Sequence, residues 1–577
     1  MQPDATQSPP ALDNQYDTDR VLQSYVRRVL PNTVCAEVEP ALREMGKLAG
    51  GDLYSLQQKD LRKEPTLTQW GPWGDRIDRI ELTRVWKRAE AVAAEHGVVA
   101  TAYEQAHGRH SRIHQMALAY LFIPSTDMYG CPLAMTDGAA RTLLDRGRSK
   151  IVEEAVPHLT ARNPQSFWTS GQWMTEISGG SDVSNSQTTA RRGDDGTWRL
   201  YGRKWFTSAI TANMALALAR PEDNSDGSEG LGLFYVPIRD EDTPADGIYV
   251  NRLKDKLGTR KLPTAELTLD GAAAHPVTNE VQNGTRHIAP MLTITRTWNA
   301  VTAAAYLRRG LALARDYARK RTAFGDAILN HPLHQETLAD LQAQLEGMVH
   351  LSFRAAELLG LRETDQADDR EQALLRLLTP IAKLTTAKQA VAGTSEIIEA
   401  FGGAGYVEDT GLPPLLRDAQ VLPIWEGTTN VLALDLLRTV NEGNGVAPLR
   451  DEFERCLAAL DDSDLQRTAQ PAFEAYKKAA EWLQSAQAKG PDALQAGARR
   501  FALTLGHALE LAYTARHAHW ARRNEQDHHS AAAAKRLAAQ PISRIRTTDA
   551  EGAEALAREQ APSPSDQFTS GATGIER

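Results

Sequence analysis

The sequence predicts an α+β protein in which a small β-barrel or sandwich separates an N-terminal helical domain from a C-terminal helical bundle carrying a helical extension. Three observations carry this reading. Apolar residues recur at helical spacing from Val21 to about His158, the period shortens to strand-like alternation near Ser166, and helical spacing returns after about Ile288 and persists. At 577 residues the chain also exceeds what one hydrophobic core usually serves, so several domains are expected.

Taken in order, residues 1–19 are rich in Gln, Pro and Asp and read as a disordered tail. Residues 20–165 form the helical domain: Leu82, Val85, Trp86 and Ala89 share one face, Ala117, Tyr120 and Leu121 begin another, and the Trp/Gly-rich run Gln69 to Gly74 reads as a loop. Residues 166–287 form the β unit. Its short runs Trp198 to Tyr201, Met214 to Ala219, Leu233 to Val236 and Ala265 to Leu269 are separated by Asp/Gly punctuation. In 288–440, Leu338, Leu341, Leu345 and Met348 trace one buried stripe. Thr379-Pro380 reads there as an N-cap with proline at the first helical position of a helix ending at Gly402-Gly403. Long helices with short connections imply an antiparallel bundle. Residues 441–560 continue as helix, and 561–577 read as a Ser/Pro/Gly-rich disordered tail.

Composition narrows the function classes. A hydrophobic share of 42% with 24% charged residues is ordinary for a soluble protein. The best apolar run, Met116 to Ile123, falls far short of the ~20 residues a spanning helix needs, so no membrane partner is expected. The polar stretch Met1 to Asp19 shows no secretory signal, and Cys35, Cys131 and Cys456 lie too far apart in sequence to suggest a disulfide framework or metal cluster. A reducing cytoplasm is the expected compartment. His331/His334 and His517/His519 lack a third ligand of suitable type and read as solvent-facing or capping histidines, so no metal is expected.

The net charge of -9 argues against a protein built to coat nucleic acid, with one local exception. Between Arg499 and Arg546 lie nine basic residues, Arg516, Arg522 and Arg523 among them, and three acidic ones. That segment reads either as a helix face paired with acidic surface or as a weak, sequence-indifferent DNA-binding patch acting through phosphates.

Three segments place glycines and polar groups where a scaffold would not need them. Trp173 to Asp182 holds Gly179 and Gly180, which permit close backbone approach, and hydroxyls able to grip a phosphate; alone it could also be a turn closing a β-domain. Arg203 to Ser208 offers Trp205 as a flat stacking surface and Thr207 as a hydrogen-bonding group, or equally a strand with a core tryptophan. In Arg417 to Asn430, Glu426 stands between Trp425 and Gly427 behind an apolar run, where desolvation would suit it to proton abstraction; in isolation it reads as readily as a helix-initiating Glu.

Together these motifs resemble the acyl-CoA dehydrogenase superfamily. Met174-Thr-Glu176 with Gly179-Gly-Ser-Asp182 is similar to its first signature, Ile424-Trp-Glu-Gly-Thr428 to its second, Arg321-Thr-Ala-Phe-Gly325 to its dimer-crossing flavin contact, and Ala400 to Tyr406 to its glycine turn. Lys254-Asp-Lys-Leu-Gly-Thr-Arg260, the long N-terminal segment and the extra C-terminal helices resemble the alkylation-response (AidB) type in particular.

The resemblance implies an acyl-CoA dehydrogenase-like fold with FAD held between β unit and bundle. Met174, Thr175, Gly180 and Ser181 would lie along the flavin and its phosphates, and Trp205 on the isoalloxazine face with Thr207 at the reactive nitrogen. Arg321 and Phe324 would reach the FAD of a neighbouring subunit in a homodimer or homotetramer, and Gly402, Gly403, Thr428 and Asn430 its pyrophosphate and adenosine. The implied reaction takes a proton and a hydride from adjacent carbons of an acyl-CoA or related acyl substrate, with Glu426 as base and an electron-transfer flavoprotein as possible acceptor. Some relatives carry the base on the earlier helix, where this chain has Thr295, which cannot serve; Arg296 beside it falls on the substrate side. Thr293, Pro332 and Glu399 depart from the family's Asp, Gln and Gln, which bears on standard acyl-CoA binding. The alternatives are a protein that keeps FAD but mainly binds DNA or acyl chains, and an oxidase that admits oxygen.

Overall fold

Asp19 shows why the N-terminal segment folds. Its carboxylate caps the helix Arg20–Val29 by accepting from the Leu22 N–H, and it also accepts from the Tyr120 hydroxyl and pairs with Arg308 at 2.9 Å. Tyr16 beside it is fully buried. The computed structural model describes residues 7–240, 243–443, 445–547 and 550–559. Over 7–19 the expected disordered tail is therefore corrected: a low-hydrophobicity stretch packs because Tyr16 finds a core and Asp19 finds three partners. Residues 561–577, the other expected tail, lie outside the described residues. The Ala11 N–H donates to Asp316 at 2.7 Å and Lys320 donates to the Pro9 carbonyl, which lays this segment along the end of the helix Ala289–Lys320.

The β unit is a closed barrel with its own core of Trp173, Leu200, Phe234, Val250 and Leu267. Thr264–Pro276 pairs antiparallel with Trp198–Ser208 on one side and Gly232–Pro237 on the other. Thr189–Arg192 and Met214–Pro221 complete the ring, and Ile248–Leu253 and Ser170–Trp173 attach outside it. Register shifts at Ala265/Leu267 and Asp270/Ala272 bend the long strand around the ring. The Trp/Gly run read as a loop is the turn of a hairpin, Thr66–Trp70 with Arg76–Glu81. Asp78 accepts from the Val250 N–H, while Gln69 and Arg76 donate to the Val250 carbonyl, so the hairpin covers the barrel's edge.

Ala289–Lys320, Pro332–Glu363, Asp369–Ala400 and Thr429–Glu442 form the bundle, on which Ala447–Ala458, Ser463–Lys489, Pro491–Asn524 and His529–Ala539 pack. The expected start at Thr379-Pro380 is corrected. An Asp368/Glu371 capping box starts the helix at Asp369, and Pro380 lies inside it, with the Thr379 hydroxyl turned back to the Leu375 carbonyl. His517 is also corrected: it is buried, bonded to the Ser24 hydroxyl, with its ring 4.4 Å from that of His350.

Four of the nine basic residues of the segment meet carboxylates. Arg522 meets Asp462, Arg523 meets Asp461, Lys535 meets Asp464, and Arg536 meets Glu336 and Asp340. Among the described residues no helix is long and apolar enough to cross a membrane.

Candidate active site

Glu426 sits in the loop between the helices Pro413–Ala419 and Thr429–Glu442, with φ of +54°. Gly427 follows at +97°, where any Cβ is strained. A left-handed conformation at a non-glycine residue costs about 1–2 kcal/mol and persists only when the surroundings impose it. Here they do. Lys383, fully buried on the helix Asp369–Ala400, donates from Nζ to the carbonyls of Trp425 and Gly427, each at 2.7 Å. Arg296 donates from Nε to the Glu426 carbonyl at 3.3 Å and is itself anchored by Asp435 at 2.7 Å. Three successive carbonyls are thus held by the donor groups of two basic side chains.

Burial pushes Lys383 down to about 7; the Glu426 carboxylate opposes that shift and Arg296 adds to it. The Thr295 hydroxyl donates to Glu426 Oε2 at 2.8 Å. Neither Oε1 nor the Glu426 N–H has a hydrogen-bond partner among the described residues. Cys131 faces the same carboxylate: burial, opposed by Lys256 and reinforced by Glu426, holds its thiol up at about 12, so it stays neutral.

Barrel and loop are locked together. A Cβ at Gly258 would lie 2.2 Å from the Arg417 carbonyl, and the Thr259 N–H donates to Asp418 at 2.6 Å. The run Lys254 to Arg260 therefore fastens the barrel to the short helix that leads into the Glu426 loop. Lys254 itself lies 3.3 Å from the centre of the Trp205 ring and pairs with Glu266 at 2.6 Å, covering one face of that ring.

The first signature is organised by Glu176. Its buried carboxylate accepts from the Gln187 and Thr188 N–H groups, the Thr188 hydroxyl and Lys204 Nζ at 2.8 Å. Burial alone would raise its pKa, but Lys204 and these donors hold it below the usual range. The anchored ends present Gly180, Ser181 and Asp182 outward as an exposed loop. Thr175 accepts from the Trp205 N–H through its carbonyl, and its side chain lies where a Gly180 Cβ would go. The half-buried Met174 accepts from Gln172 at its sulfur. Thr207 is buried and donates to the Ala265 carbonyl.

The structure thus brings Met174, Thr175, Gly180, Trp205 and Thr207 to one barrel patch, and Glu426 to Thr295, Arg296 and Thr428, which caps the helix Thr429–Glu442. It leaves Arg321, Phe324, Gly402, Gly403 and Asn430 exposed, and Phe324 is 98% exposed on a two-residue-per-strand hairpin. Arg296, expected on the substrate side, has its guanidinium on Asp435 and the Glu426 carbonyl, so in this structure it supports the loop. Lys383, Asp435 and Glu176 were not anticipated as contributors. The one available signal was a lysine set among Ile381, Ala382 and Leu384 on a buried stripe. The bare glycines, the stacking ring and the exposed Ser181 hydroxyl suit a flavin dinucleotide, while the Thr207 hydroxyl is turned inward to the Ala265 carbonyl.

Residues 6–164 match the family model of the adaptive response protein AidB N-terminal domain, 171–272 the acyl-CoA dehydrogenase middle domain, and 282–440 the acyl-CoA dehydrogenase C-terminal domain. Acyl-CoA dehydrogenase family member 11 of Caenorhabditis elegans is 42% identical over 528 residues, 89% of this chain and 85% of that protein. AidB of Escherichia coli is 32% identical over 67% of this chain and 71% of its own length. The structure of Caenorhabditis elegans ACDH-11 in complex with C11-CoA superposes with a TM-score of 0.90 at 40% identity, covering 95% of this chain and 94% of that one.

Proposed function

Because the chain belongs to the acyl-CoA dehydrogenase family, whose members are FAD-dependent oxidoreductases acting on CH–CH donors, we propose that Glu426 is the base that takes the α-proton of an acyl-CoA thioester. FAD, when bound, supplies the acceptor for the β-hydride. The residues that would hold it are Met174, Thr175, Gly180, Ser181, Trp205 and Thr207 of one subunit. Arg321, Phe324, Gly402, Gly403, Thr428 and Asn430 would hold that of a neighbour. The observation that carries the proposal is the loop geometry: Lys383 and Arg296 hold Glu426 in a left-handed turn that leaves its Oε1 and its own N–H without partners among the described residues. Oε1 is then available for the proton, and the N–H for the thioester oxygen on which charge develops. Thr295 at Oε2 fixes which oxygen faces the substrate.

The complex of the nematode relative makes an acyl-CoA of about that chain length the first substrate to test. An electron-transfer flavoprotein is the proposed acceptor. The duplex-binding alternative loses ground because Arg522, Arg523, Lys535 and Arg536 already meet carboxylates.

Anaerobic bleaching of the flavin by a panel of acyl-CoAs tests the proposal, with Glu426→Gln as the decisive variant. The amide keeps the shape but cannot accept a proton, so reduction should slow at least ~10²-fold with FAD retained. Bleaching at the wild-type rate would move the base elsewhere. Admitting air afterwards separates a dehydrogenase from an oxidase.

A further inference from the structure

Five arginines from five different elements converge on one cavity of ≈ 270 Å³: Arg109, Arg354, Arg370, Arg455 and Arg516. They come from the turn Gly108–His110, the helices Pro332–Glu363 and Asp369–Ala400 of the bundle, and the helices Ala447–Ala458 and Pro491–Asn524 of the extension. The cavity is separate from the Glu426 cleft. Leu374 in its wall precedes Lys383 by nine residues on the same helix, about 14 Å at 1.5 Å per residue.

The charge within it does not balance. Glu452 pairs with Arg354 at 3.0 Å and with Arg455, and Glu357 pairs with Arg354 at 2.8 Å and accepts from the Tyr25 hydroxyl. Glu371 accepts nothing from these guanidiniums; it closes the capping box on the Asp368 N–H. Arg109, Arg370 and Arg516 have no ion-pair partner among the described residues, and Arg109 reaches only the His110 ring at 3.4 Å. Half-buried Arg516 is destabilised as a cation by burial and then by Arg455 and Arg28, with Glu357 opposing more weakly. Unpaired guanidiniums gathered at a cavity are the arrangement that a small oxyanion relieves, since each fork offers two parallel donors. The volume lies below the ~300–1,000 Å³ of pockets for drug-sized ligands, which suits phosphate or a compact phosphomonoester and not a CoA or dinucleotide.

We propose that the cavity where helical domain, bundle and extension meet is a binding site for a small phosphate-type oxyanion, held by Arg109, Arg370 and Arg516. The test uses the full-length FAD-loaded protein, titrated with inorganic phosphate and with glycerol 3-phosphate at constant ionic strength and followed by calorimetry and thermal shift. A ligand of the folded state raises the melting temperature saturably. One site per subunit is expected, with affinity weakened about tenfold or more in Arg370→Ala and in Arg516→Gln, as loss of a charged hydrogen-bond donor implies. Arg370 is exposed, so its replacement leaves folding intact. The wild-type response should persist under saturating CoA. Several results would overturn the site: no saturable response, equal stabilisation by acetate, an unchanged response in Arg370→Ala, or displacement of phosphate by CoA.

Discussion

At the scale of single residues, the Glu426 loop depends on a buried lysine. Lys383 has a folded pKa of about 7 against an ordinary value near 10.5, so between those limits the unfolded chain binds a proton that the folded chain does not. Its contribution to stability therefore rises with pH from about 7 to about 10, by on the order of 1 kcal/mol per pH unit. Denaturant unfolding across that range should show this slope in the wild type and lose it in Lys383→Met; equal slopes would contradict it. The same variant strands the Trp425 and Gly427 carbonyls, so flavin reduction should fall at least tenfold while FAD remains bound, with CoA-ester affinity less affected than the rate. Glu426 drew notice through the likeness of Ile424 to Thr428 to a family signature, since on its own it reads as a helix-initiating Glu. Lys383 and Asp435 were not legible, because helical periodicity reports which face is buried and not which buried polar atom meets a loop distant in sequence.

At the scale of elements, the misplaced helix start is instructive. Thr379-Pro380 satisfies the local rule for an N-terminus, yet Asp368 and Glu371 satisfy a stronger one earlier, and tertiary packing carries the helix through the proline. Asp368→Ala should therefore cost about 1 kcal/mol by equilibrium unfolding. A helix that began at Pro380 would make the substitution neutral. The barrel strands were legible because their apolar runs are short and punctuated. The hairpin Thr66–Trp70 with Arg76–Glu81 was not, since its strands mix apolar and polar residues on both faces and are held by the neighbouring edge Ile248–Leu253, with Leu67 and Ile80 against the barrel core.

At the scale of the whole molecule, the order of helices, β unit and helices could be read from changes of period, whereas the packing of residues 7–19 could not. Composition judged that segment by its mean polarity, and Tyr16 decided otherwise. The proposed cofactor site divides the same way: one half is assembled within the barrel, and the other half points outward on Phe324 and Arg321. Since Phe324 is 98% exposed and Arg321 makes, among the described residues, a single side-chain hydrogen bond, 3.4 Å to Gln7, Arg321→Ala should leave the melting temperature of FAD-free protein unchanged. FAD affinity should nevertheless weaken roughly tenfold to a hundredfold, the loss expected for a charged donor to a phosphate. Fluorescence titration of apoprotein reads this directly, and unchanged affinity would argue against a site shared between subunits.

The contacts of Gln7, Pro9 and Ala11 with the end of the helix Ala289–Lys320 have a practical corollary. They brace the stretch of chain from which the Arg321 hairpin springs, so an edit to residues 7–11 is mechanically an edit to a turn more than three hundred residues away. A protein trimmed of residues 7–12 should come off a desalting column paler than the intact one, although every side chain proposed to touch the flavin is still present.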